Sequence, residues 1–361
     1  MAIEMSEKAI IAMSGGVDSS VAALLMKNSG YECIGATMKL YTNEDAGVSR
    51  EKGCCSLSDV EDAKSVAHRL GMLHYVFNFT DKFRECVIDR FVKSYENGQT
   101  PNPCIDCNRY LKFDKMLLRM KEIDFDYIVT GHYARVEYDE NTGKYLLKKA
   151  VDSTKDQSYV LYMLTQEQLA HIKFPLGAYT KKEIRKIAEE NNFVTAHKSD
   201  SQDICFVPDG DYASFIERYL GKSFPQGDFV LRDGTVLGKH KGIIHYTLGQ
   251  RKGLGVSYTK PLFVCEINTE TNNVVLGDNA DLFTDTLKAD RVNIISGEDF
   301  SSPVRCKAKI RYKHEEQPAT AFVDGNGILN VKFDEPQRAV TKGQAVVLYD
   351  GDTVLGGGEI V

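Results

Sequence analysis

The stretch that most constrains the fold is KAIIAMSGGVDSS, residues 8–20. Its apolar run, residues 8–13, predicts a buried strand, and Val21, Leu24 and Leu25 follow at helical spacing. The glycine turn SGGVDSS connects the two, so free backbone N–H groups and the positive end of a helix dipole would face a ligand. We therefore predict a phosphate site on an α/β fold. A glycine turn needed only for packing is the alternative.

The strand and helix pattern repeats further along the chain. ECIGATMKL (32–40), LHYVFNF (73–79) and Tyr127–Thr130 predict strands, and SDVEDAKSVAHRLG (58–71) predicts a helix. Strands that alternate with helices indicate a doubly wound, mostly parallel sheet. Its ligand crevice should lie beyond the carboxyl ends of the strands.

The pattern changes after about residue 205, where short strands separated by glycines replace helices. Examples are residues 227–238, 261–278, 321–336 and 344–361. Because 361 residues are too many for one ordinary core, we expect three domains. They are a catalytic domain (1–207), a small, mainly β central domain (208–282) and a C-terminal β-barrel (283–361).

Composition restricts the class of protein and its compartment. Hydrophobic residues make up 42% and charged residues 27% of the chain, as in globular proteins. No apolar run approaches the roughly 18 residues that span a bilayer, and MAIEMSEK lacks a secretory core, so we expect a cytoplasmic protein without a membrane helix. Its nine cysteines should then be largely reduced. The net charge of -6 argues against indiscriminate nucleic-acid binding, although it can hide a local basic face.

SGGVDSS differs from the GxxxxGKS/T loop of kinases and GTPases because it has no lysine and its spacing is shorter. It resembles the loop of the PP-loop superfamily, whose members cleave ATP between the α and β phosphates and transfer AMP to an oxygen. The resemblance implies that ATP binds with Mg²⁺, and that Asp18 holds the magnesium or polarises the attacking group. The implied nucleotide contacts are Ala12, Met13, Ser14, Gly15, Gly16, Val17, Asp18, Ser19 and Ser20.

TPNPCIDCNR, residues 100–109, lies between a predicted helix over 83–95 and another over 109–120. Pro101 and Pro103 should keep the segment extended, so that its cysteines fall at the start of the second helix. There the helix dipole and Arg109 would favour thiolates. A buried thiol pair and a structural zinc clip are the alternatives, but a clip needs a second cysteine pair, and the sequence supplies only the distant Cys205.

Six blocks in order carry a closer resemblance: SGGVDSS, TPNPCIDCNRYLKF, TGHYARV, KDQSYVLY, KSDSQDICF and HYTLGQRKGLG. Together they resemble the bacterial and mitochondrial tRNA-specific 2-thiouridylases over essentially the whole chain. The resemblance implies that ATP adenylates O2 of the wobble uridine, U34, in the tRNAs for lysine, glutamate and glutamine. Sulfur then displaces AMP and leaves 2-thiouridine. Adenylation converts the uridine oxygen from a poor leaving group into a good one, so that a sulfur nucleophile can attack the adjacent carbon.

The resemblance also assigns the thiols. Cys205 would carry a persulfide received from a sulfur-donating protein (a cysteine desulfurase or a relay carrier), and Cys107 would release that sulfur by forming a disulfide with Cys205. Cys104 stands where one form of the family has aspartate. Three thiolates from Cys104, Cys107 and Cys205 would equally suit a four-iron, four-sulfur cluster with one open iron, so both routes stay open.

The remaining assignments follow from the same resemblance. It makes Met38 and Gly131 nucleotide contacts, and it places Asn102, Pro103 and Cys104 at the target base. By pattern alone Met38 is a core residue, the neighbouring His132 is structural, and residues 155–157 form a surface turn. The implied tRNA contacts are Lys155, Asp156, Gln157, Arg311 and Tyr312. We assign no role to Cys54 and Cys55, and we expect Cys33, Cys86, Cys265 and Cys306 in the core.

A basic segment near the C-terminus, PVRCKAKIRYKH, alternates cations with apolar residues. On a strand its five cations would share one face, with residues 304, 306, 308, 310 and 312 on the core face. Those cations are Arg305, Lys307, Lys309, Arg311 and Lys313. Residues 236–260 add five more lysines and arginines and no acid, so an acidic protein would offer RNA a basic track.

Two other function classes fit part of this pattern. A PP-loop carbon–nitrogen ligase such as lysidine synthase explains SGGVDSS but leaves Cys107 and Cys205 without a role. A non-enzymatic RNA-binding or iron–sulfur scaffold explains the cysteines and the basic segment but not the pyrophosphate loop.

Overall fold

A computed structural model describes residues 6–42, 57–199 and 204–361 of the chain. Cys54 and Cys55 lie outside these residues. Five strands of the N-terminal part form a parallel sheet in the order β3-β2-β1-β4-β7, while β5 and β6 form a hairpin. The strands are β1 (Lys8–Ala12), β2 (Glu32–Lys39), β3 (His74–Asn78), β4 (Tyr127–Val129), β5 (Ala134–Asp139), β6 (Lys144–Lys149) and β7 (Ile172–Lys173).

Helices cover the sheet because its central strand is apolar on both faces. Ile10 and Ile11 of β1 are fully buried and belong to two different core clusters, one on each side of the sheet. The helices are α1 (Val17–Asn28), α2 (Leu57–Arg69), α3 (Thr80–Phe83, Arg84–Ile88 and Asp89–Glu96 in succession), α4 (Pro103–Asp106, Cys107–Lys115 and Met116–Glu122 in succession), α5 (Gln166–Ala170), α6 (Lys181–Glu190) and α7 (Tyr212–Leu220). Shorter 3₁₀ turns cover Ser158–Leu161, Pro175–Ala178, Ile243–His245 and Asn279–Leu282.

Helix α4 begins at residue 103, six positions before its predicted start. Asn102 is the N-cap and accepts a hydrogen bond from the backbone N–H of Cys104 at 3.2 Å, and Pro103 takes the first helical position. The expectation of an extended Pro103 was therefore wrong. Residues 107–115 are π-helical, so Cys107 is the fifth residue of the helix and opens a segment with i to i+5 hydrogen bonds.

The predicted β-rich C-terminal part is confirmed. Strands β8 (Gly227–Leu231), β9 (Val236–His240), β10 (Phe263–Asn268) and β11 (Asn273–Gly277) form a sheet in the order β10-β11-β8-β9. Six further strands form a barrel that closes through the pairing of β12 with β17. They are β12 (Phe283–Asn293), β13 (Val304–Lys309), β14 (Gln317–Val323), β15 (Leu329–Arg338), β16 (Ala345–Asp350) and β17 (Thr353–Ile360).

Two features of the barrel differ from expectation. The hairpin of β5 and β6 joins the barrel sheet where Lys148 pairs with Thr353, although its sequence lies among the sheet and helix elements. Strand β13 ends at Lys309, so the predicted single face of five cations was wrong: Arg311 and Lys313 lie beyond the strand. Tyr312, expected on the core face, is 37% exposed. Across residues 6–42, 57–199 and 204–361, every helix is too short or too polar to cross a lipid bilayer.

Candidate active site

A cavity of about 380 Å³ lies where β1, β2 and β4 end. This is the crevice that a parallel sheet offers to ligands. Its lining includes residues of the SGGVDSS turn and three cysteines from two distant segments of the chain. The predicted site residues that line it are Ala12, Met13, Ser14, Asp18, Ser19, Met38, Pro103, Cys104, Cys107, Gly131, Gln157 and Cys205.

The other predicted site residues lie outside the lining of this cavity, among the residues that the structure describes. Gly15 and Gly16 belong to the turn, Val17 and Ser20 belong to the first turn of α1, and Asn102 caps α4. Lys155, Asp156, Arg311 and Tyr312 also lie outside it. Lining residues that sequence reasoning missed include Thr37, Asp59 and Lys112.

The SGGVDSS turn is held by its own side chains. Ser19 Oγ accepts a hydrogen bond from the Ser14 N–H at 3.2 Å and donates to the Gly16 carbonyl at 3.1 Å. Ser20 Oγ donates to the same carbonyl at 2.9 Å and accepts from Thr195, so Ser20 is fully buried. The turn therefore leaves the first N–H groups of α1 directed at the cavity.

Two glycines make the close approaches at this turn possible. Gly15 has φ +73°, and a Cβ there would collide with the backbone carbonyl of Asp59 at the start of α2. A Cβ on Gly131 would lie 2.9 Å from the backbone of Asp18 and Ser19. The segment after β4 thus packs directly against the first turn of α1.

Two lysines from distant parts of the sequence reach the turn. Lys181 Nζ binds both carboxylate oxygens of Asp18 at 2.8 Å, and the Tyr133 hydroxyl donates to Asp18 at 2.8 Å. Lys198 Nζ donates to the Gly15 carbonyl at 3.0 Å and binds Asp59 at 2.8 Å. Lysines that are distant in the sequence therefore hold the acidic and carbonyl groups of the turn. The sequence gives no local signal for this because the partners lie 163 and 183 positions apart.

The cavity also brings together the thiols of TPNPCIDCNR and KSDSQDICF. Cys104 is exposed, Cys107 is 8% exposed and Cys205 is partly buried, and all three are reduced. The Cys205 carbonyl accepts a hydrogen bond from Tyr41 at 2.6 Å, and the next residue, Phe206, is buried against aromatic rings of α3. These contacts hold Cys205 at the cavity that contains Cys107.

The chain matches full-length relatives across nearly all of its residues. It is 53% identical over 356 residues to the tRNA-specific 2-thiouridylase MnmA of Clostridioides difficile (strain 630), covering 99% of this chain and 98% of that protein. It is 52% identical over 359 residues to the tRNA-specific 2-thiouridylase MnmA 1 of Thermoanaerobacter sp. (strain X514), covering 99% of both. The chain belongs to the tRNA-specific 2-thiouridylase family.

Three family models match successive parts of this 2-thiouridylase chain. The tRNA methyl transferase HUP domain matches residues 7–209, the tRNA methyl transferase PRC-barrel domain matches 213–278, and the aminomethyltransferase β-barrel domain matches 284–360. The names of these models mention methyl transfer, but the full-length identity decides for thiouridylase. The solved structure of a predicted subunit of tRNA methyltransferase from Methanocaldococcus jannaschii matches 61% of this chain and 92% of its own chain, at 19% identity and a TM-score of 0.33.

The distances between candidate ligands decide whether the described residues could hold a metal ion. Among the described residues, no three His, Cys, Asp or Glu side chains lie close enough to share one metal ion. Cys104, Cys107 and Cys205 line one cavity without converging, so in this arrangement they do not fit an iron–sulfur cluster, and we derive no step through one. The carboxylate of Asp18 is paired with Lys181.

The barrel of this 2-thiouridylase touches the segment that precedes Cys104 and Cys107. The Thr100 N–H donates to the Lys342 carbonyl at 2.9 Å, and Gln344 donates to the Thr100 carbonyl at 2.7 Å. Arg90 of α3 binds Asp106 of α4 at 3.0 Å and lies 3.8 Å from Glu359 of β17. The C-terminal barrel thus helps to position TPNPCIDCNR.

Residues expected to contact tRNA meet at the edge of the cavity. Burial first, and then the electrostatic effects of Asp156 and Cys104, raise the pKa of Tyr312 to about 12. Lys309 Nζ lies 5.8 Å from the centre of the Tyr312 ring. Arg311 donates to the Arg338 carbonyl at 3.4 Å, with no carboxylate partner in the described part of the chain. Together they form a candidate RNA face.

Elsewhere the predicted basic track is partly neutralised. Arg305 pairs with Asp334, so the first cation of the basic segment is compensated. In residues 236–260, Lys239 binds Asp228 at 2.8 Å and Lys260 binds Asp278 at 2.5 Å. Three cations of the predicted track therefore have carboxylate partners.

A partly buried histidine contacts Thr37, which lines the cavity, and gives a pH prediction. His74 Nε2 lies 2.9 Å from Thr37 Oγ1, and burial, then Lys64, lowers the pKa of His74 below 6.5. As pH falls through the unfolded value of 6.5, the unfolded chain takes up this proton before the folded one does, so stability is lost. We expect the free energy of unfolding in urea to fall less for His74→Gln than for wild type between neutral and acidic pH. Parallel pH curves would contradict this assignment.

Proposed function

We propose that this chain uses ATP to adenylate O2 of the wobble uridine U34 in the tRNAs for lysine, glutamate and glutamine, and then replaces that oxygen with sulfur. Membership of the family makes the chain a tRNA-uridine 2-sulfurtransferase. One observation carries the mechanism: a single cavity joins the SGGVDSS turn to Cys107 and Cys205. The activation and the sulfur transfer can therefore occur on one bound base.

In the first step, uridine O2 attacks the α-phosphorus of ATP and the bond to pyrophosphate breaks. The turn, from Ala12 to Ser20, and the N-terminus of α1 hold the pyrophosphate, with Met38 and Gly131 beside the nucleotide. Lys181 and Tyr133 hold the carboxylate of Asp18 at the turn, where it polarises the attacking group or helps to hold the magnesium that ATP carries. The product is uridine with AMP on O2.

In the second step, the Cys107 thiolate attacks the Sγ of a Cys205 persulfide and expels hydrosulfide. The hydrosulfide attacks C2 of the adenylated uridine, the bond from C2 to O2 breaks, and AMP leaves. Cys107 and Cys205 remain as a disulfide, which a thiol reductant must reduce before the next turnover. A sulfur-donating protein, a cysteine desulfurase or a relay carrier, recharges Cys205.

The proposed RNA contacts are arranged around the same cavity. Asn102, Pro103 and Cys104 begin α4 beside the cavity, where they would meet the target base. Lys155, Asp156, Gln157, Arg311 and Tyr312 would contact the tRNA around it. We propose a cytoplasmic enzyme with a catalytic domain of residues 1–207, a central domain of 208–282 and a barrel of 283–361.

The test measures two products in one reaction. The purified protein is incubated with ATP, a persulfide donor and a tRNA transcript that carries U34, and pyrophosphate and 2-thiouridine are quantified. We expect both products, and neither with a transcript that carries C34. Pyrophosphate without thiouridine would instead favour a PP-loop ligase such as lysidine synthase. The absence of tRNA-dependent pyrophosphate would favour a non-enzymatic scaffold.

The iron–sulfur route is tested on the same reaction. The protein is purified anaerobically, iron and sulfide are quantified, and the iron-free and iron-loaded forms are assayed. Full turnover by iron-free protein supports the persulfide route. Turnover that strictly requires iron would replace it with the cluster route, in which Cys104, Cys107 and Cys205 are the ligands.

A further inference from the structure

The cavity has to hold a large negative charge, and its acids are already neutralised by lysines. ATP brings several negative charges, whereas the SGGVDSS turn has no lysine of its own. Lys181 is committed to Asp18, and Lys198 to Asp59 and Asp62. Neither of these lysines lines the cavity. A cation that faces the nucleotide must therefore come from another element.

Lys112 is that cation. Among the described residues that line the cavity, it is the one with a positively charged side chain, since its neighbour His132 is neutral. Burial first, and then the charge of Lys112, lowers the pKa of His132 well below its usual value. No carboxylate in the described part of the chain pairs with Lys112. Its charge is therefore available to a ligand.

The π-helical segment explains why Lys112 faces the cavity. In an α-helix of about 3.6 residues per turn, a residue five positions after Cys107 would point well away from it. Residues 107–115 are π-helical, and the i to i+5 hydrogen bonds bring Cys107 and Lys112 onto nearly the same face. Both side chains line the cavity as a result.

Lys112 is near residues proposed for both steps of the reaction, adenylation and sulfur transfer. Its charge acts on His132, which follows Gly131 at the first turn of α1. Cys107, from the same helix as Lys112, lines the same cavity. The α-phosphate must lie in the same cavity, because it is bonded to pyrophosphate at first and later to a uridine whose C2 must be within reach of sulfur.

We propose that Lys112 is a catalytic residue that binds the α-phosphate of ATP and of the adenylated uridine. Its ammonium offsets the charge on the phosphoryl oxygens as pyrophosphate leaves, and again on AMP as sulfur attacks C2. The inference rests on the proposed function for the identity of the acceptor. It does not depend on which sulfur route operates.

The test compares the variant Lys112→Met with the control Lys115→Met. The control removes the same charge from the same helix, but on a face away from the cavity. We expect Lys112→Met to slow tRNA-dependent pyrophosphate release roughly 100-fold, as for removal of one charge-stabilising group. The dissociation constant for AMP should rise about tenfold, while that for inorganic pyrophosphate changes by less than about threefold. Lys115→Met should match wild type, and Lys112→Arg should recover part of the rate.

Three outcomes would overturn the proposal. Pyrophosphate release within twofold of wild type in Lys112→Met would remove Lys112 from the first step. Equal weakening of AMP and pyrophosphate binding would make it a general anion contact. An equal loss in Lys115→Met would indicate only net charge. The AMP comparison needs no tRNA, so it still tests Lys112 if the wild type fails to thiolate U34, which would refute the proposed function alone.

Discussion

Replacing Cys107 by serine is expected to lower the formation of 2-thiouridine by roughly 1000-fold or more, as for removal of a catalytic nucleophile. Pyrophosphate release should continue, because the turn proposed to bind ATP is formed by other lining residues than Cys107. The side chain is 8% exposed and serine is nearly the same size, so the fold should persist. Nucleoside mass spectrometry and a pyrophosphate assay on one reaction measure both steps.

The matched control is Cys265→Ser in the central domain. Cys265 donates a hydrogen bond to the Phe263 carbonyl at 3.4 Å, which a serine hydroxyl can also make, and the cavity lies elsewhere. Thiolation in this variant should equal that of the wild type. Wild-type thiolation in Cys107→Ser would refute the thiol mechanism by either sulfur route, and loss of both products would mean that Cys107 acts on binding of the base.

What the sequence predicted well was local in the chain. β1, its glycine turn and α1 follow one another within about twenty residues, so the strand, the turn and the helix are all expressed in KAIIAMSGGVDSS. The contacts that complete the turn are not local. Lys181 and Lys198 reach Asp18 and Gly15 only after the sheet has formed, and neither lies in a pattern that distinguishes it from a surface lysine.

The errors have physical reasons as well. The prolines of TPNP were interpreted as extended, yet Asn102 followed by Pro103 is also an N-cap with proline at the first helical position, a signal that could have been used. The alternation of cations and apolar residues over the twelve positions 303–314 was interpreted as one strand, although the strand ends after Lys309. The π-helical turn that places Lys112 has no sequence signature, so that residue could be found only in the structure.

Gly15→Ala is expected to destabilise the protein and to remove pyrophosphate binding. The φ of +73° strains any side chain, and the added methyl group collides with the Asp59 carbonyl, so α2 or the turn must move. Strain and overpacking together should cost roughly 2–4 kcal/mol in the free energy of unfolding. Displacement of the turn should redirect the N–H groups at the start of α1, so pyrophosphate should bind at least about tenfold more weakly. Urea unfolding and titration calorimetry measure the two effects.

Substitutions at two other glycines separate the cost of backbone strain from the cost of the collision with Asp59. Gly16→Ala, at φ -100° with its nearest atom 3.5 Å away, should change the free energy of unfolding by less than about 0.5 kcal/mol. Gly30→Ala has φ +89° and no atom within 4 Å, so it should show the backbone strain alone, about 1 kcal/mol. If Gly15→Ala cost no more than Gly30→Ala, the contact between the turn and α2 would not hold the loop. The cavity would then owe its shape to the lysines that bind Asp18 and Asp59.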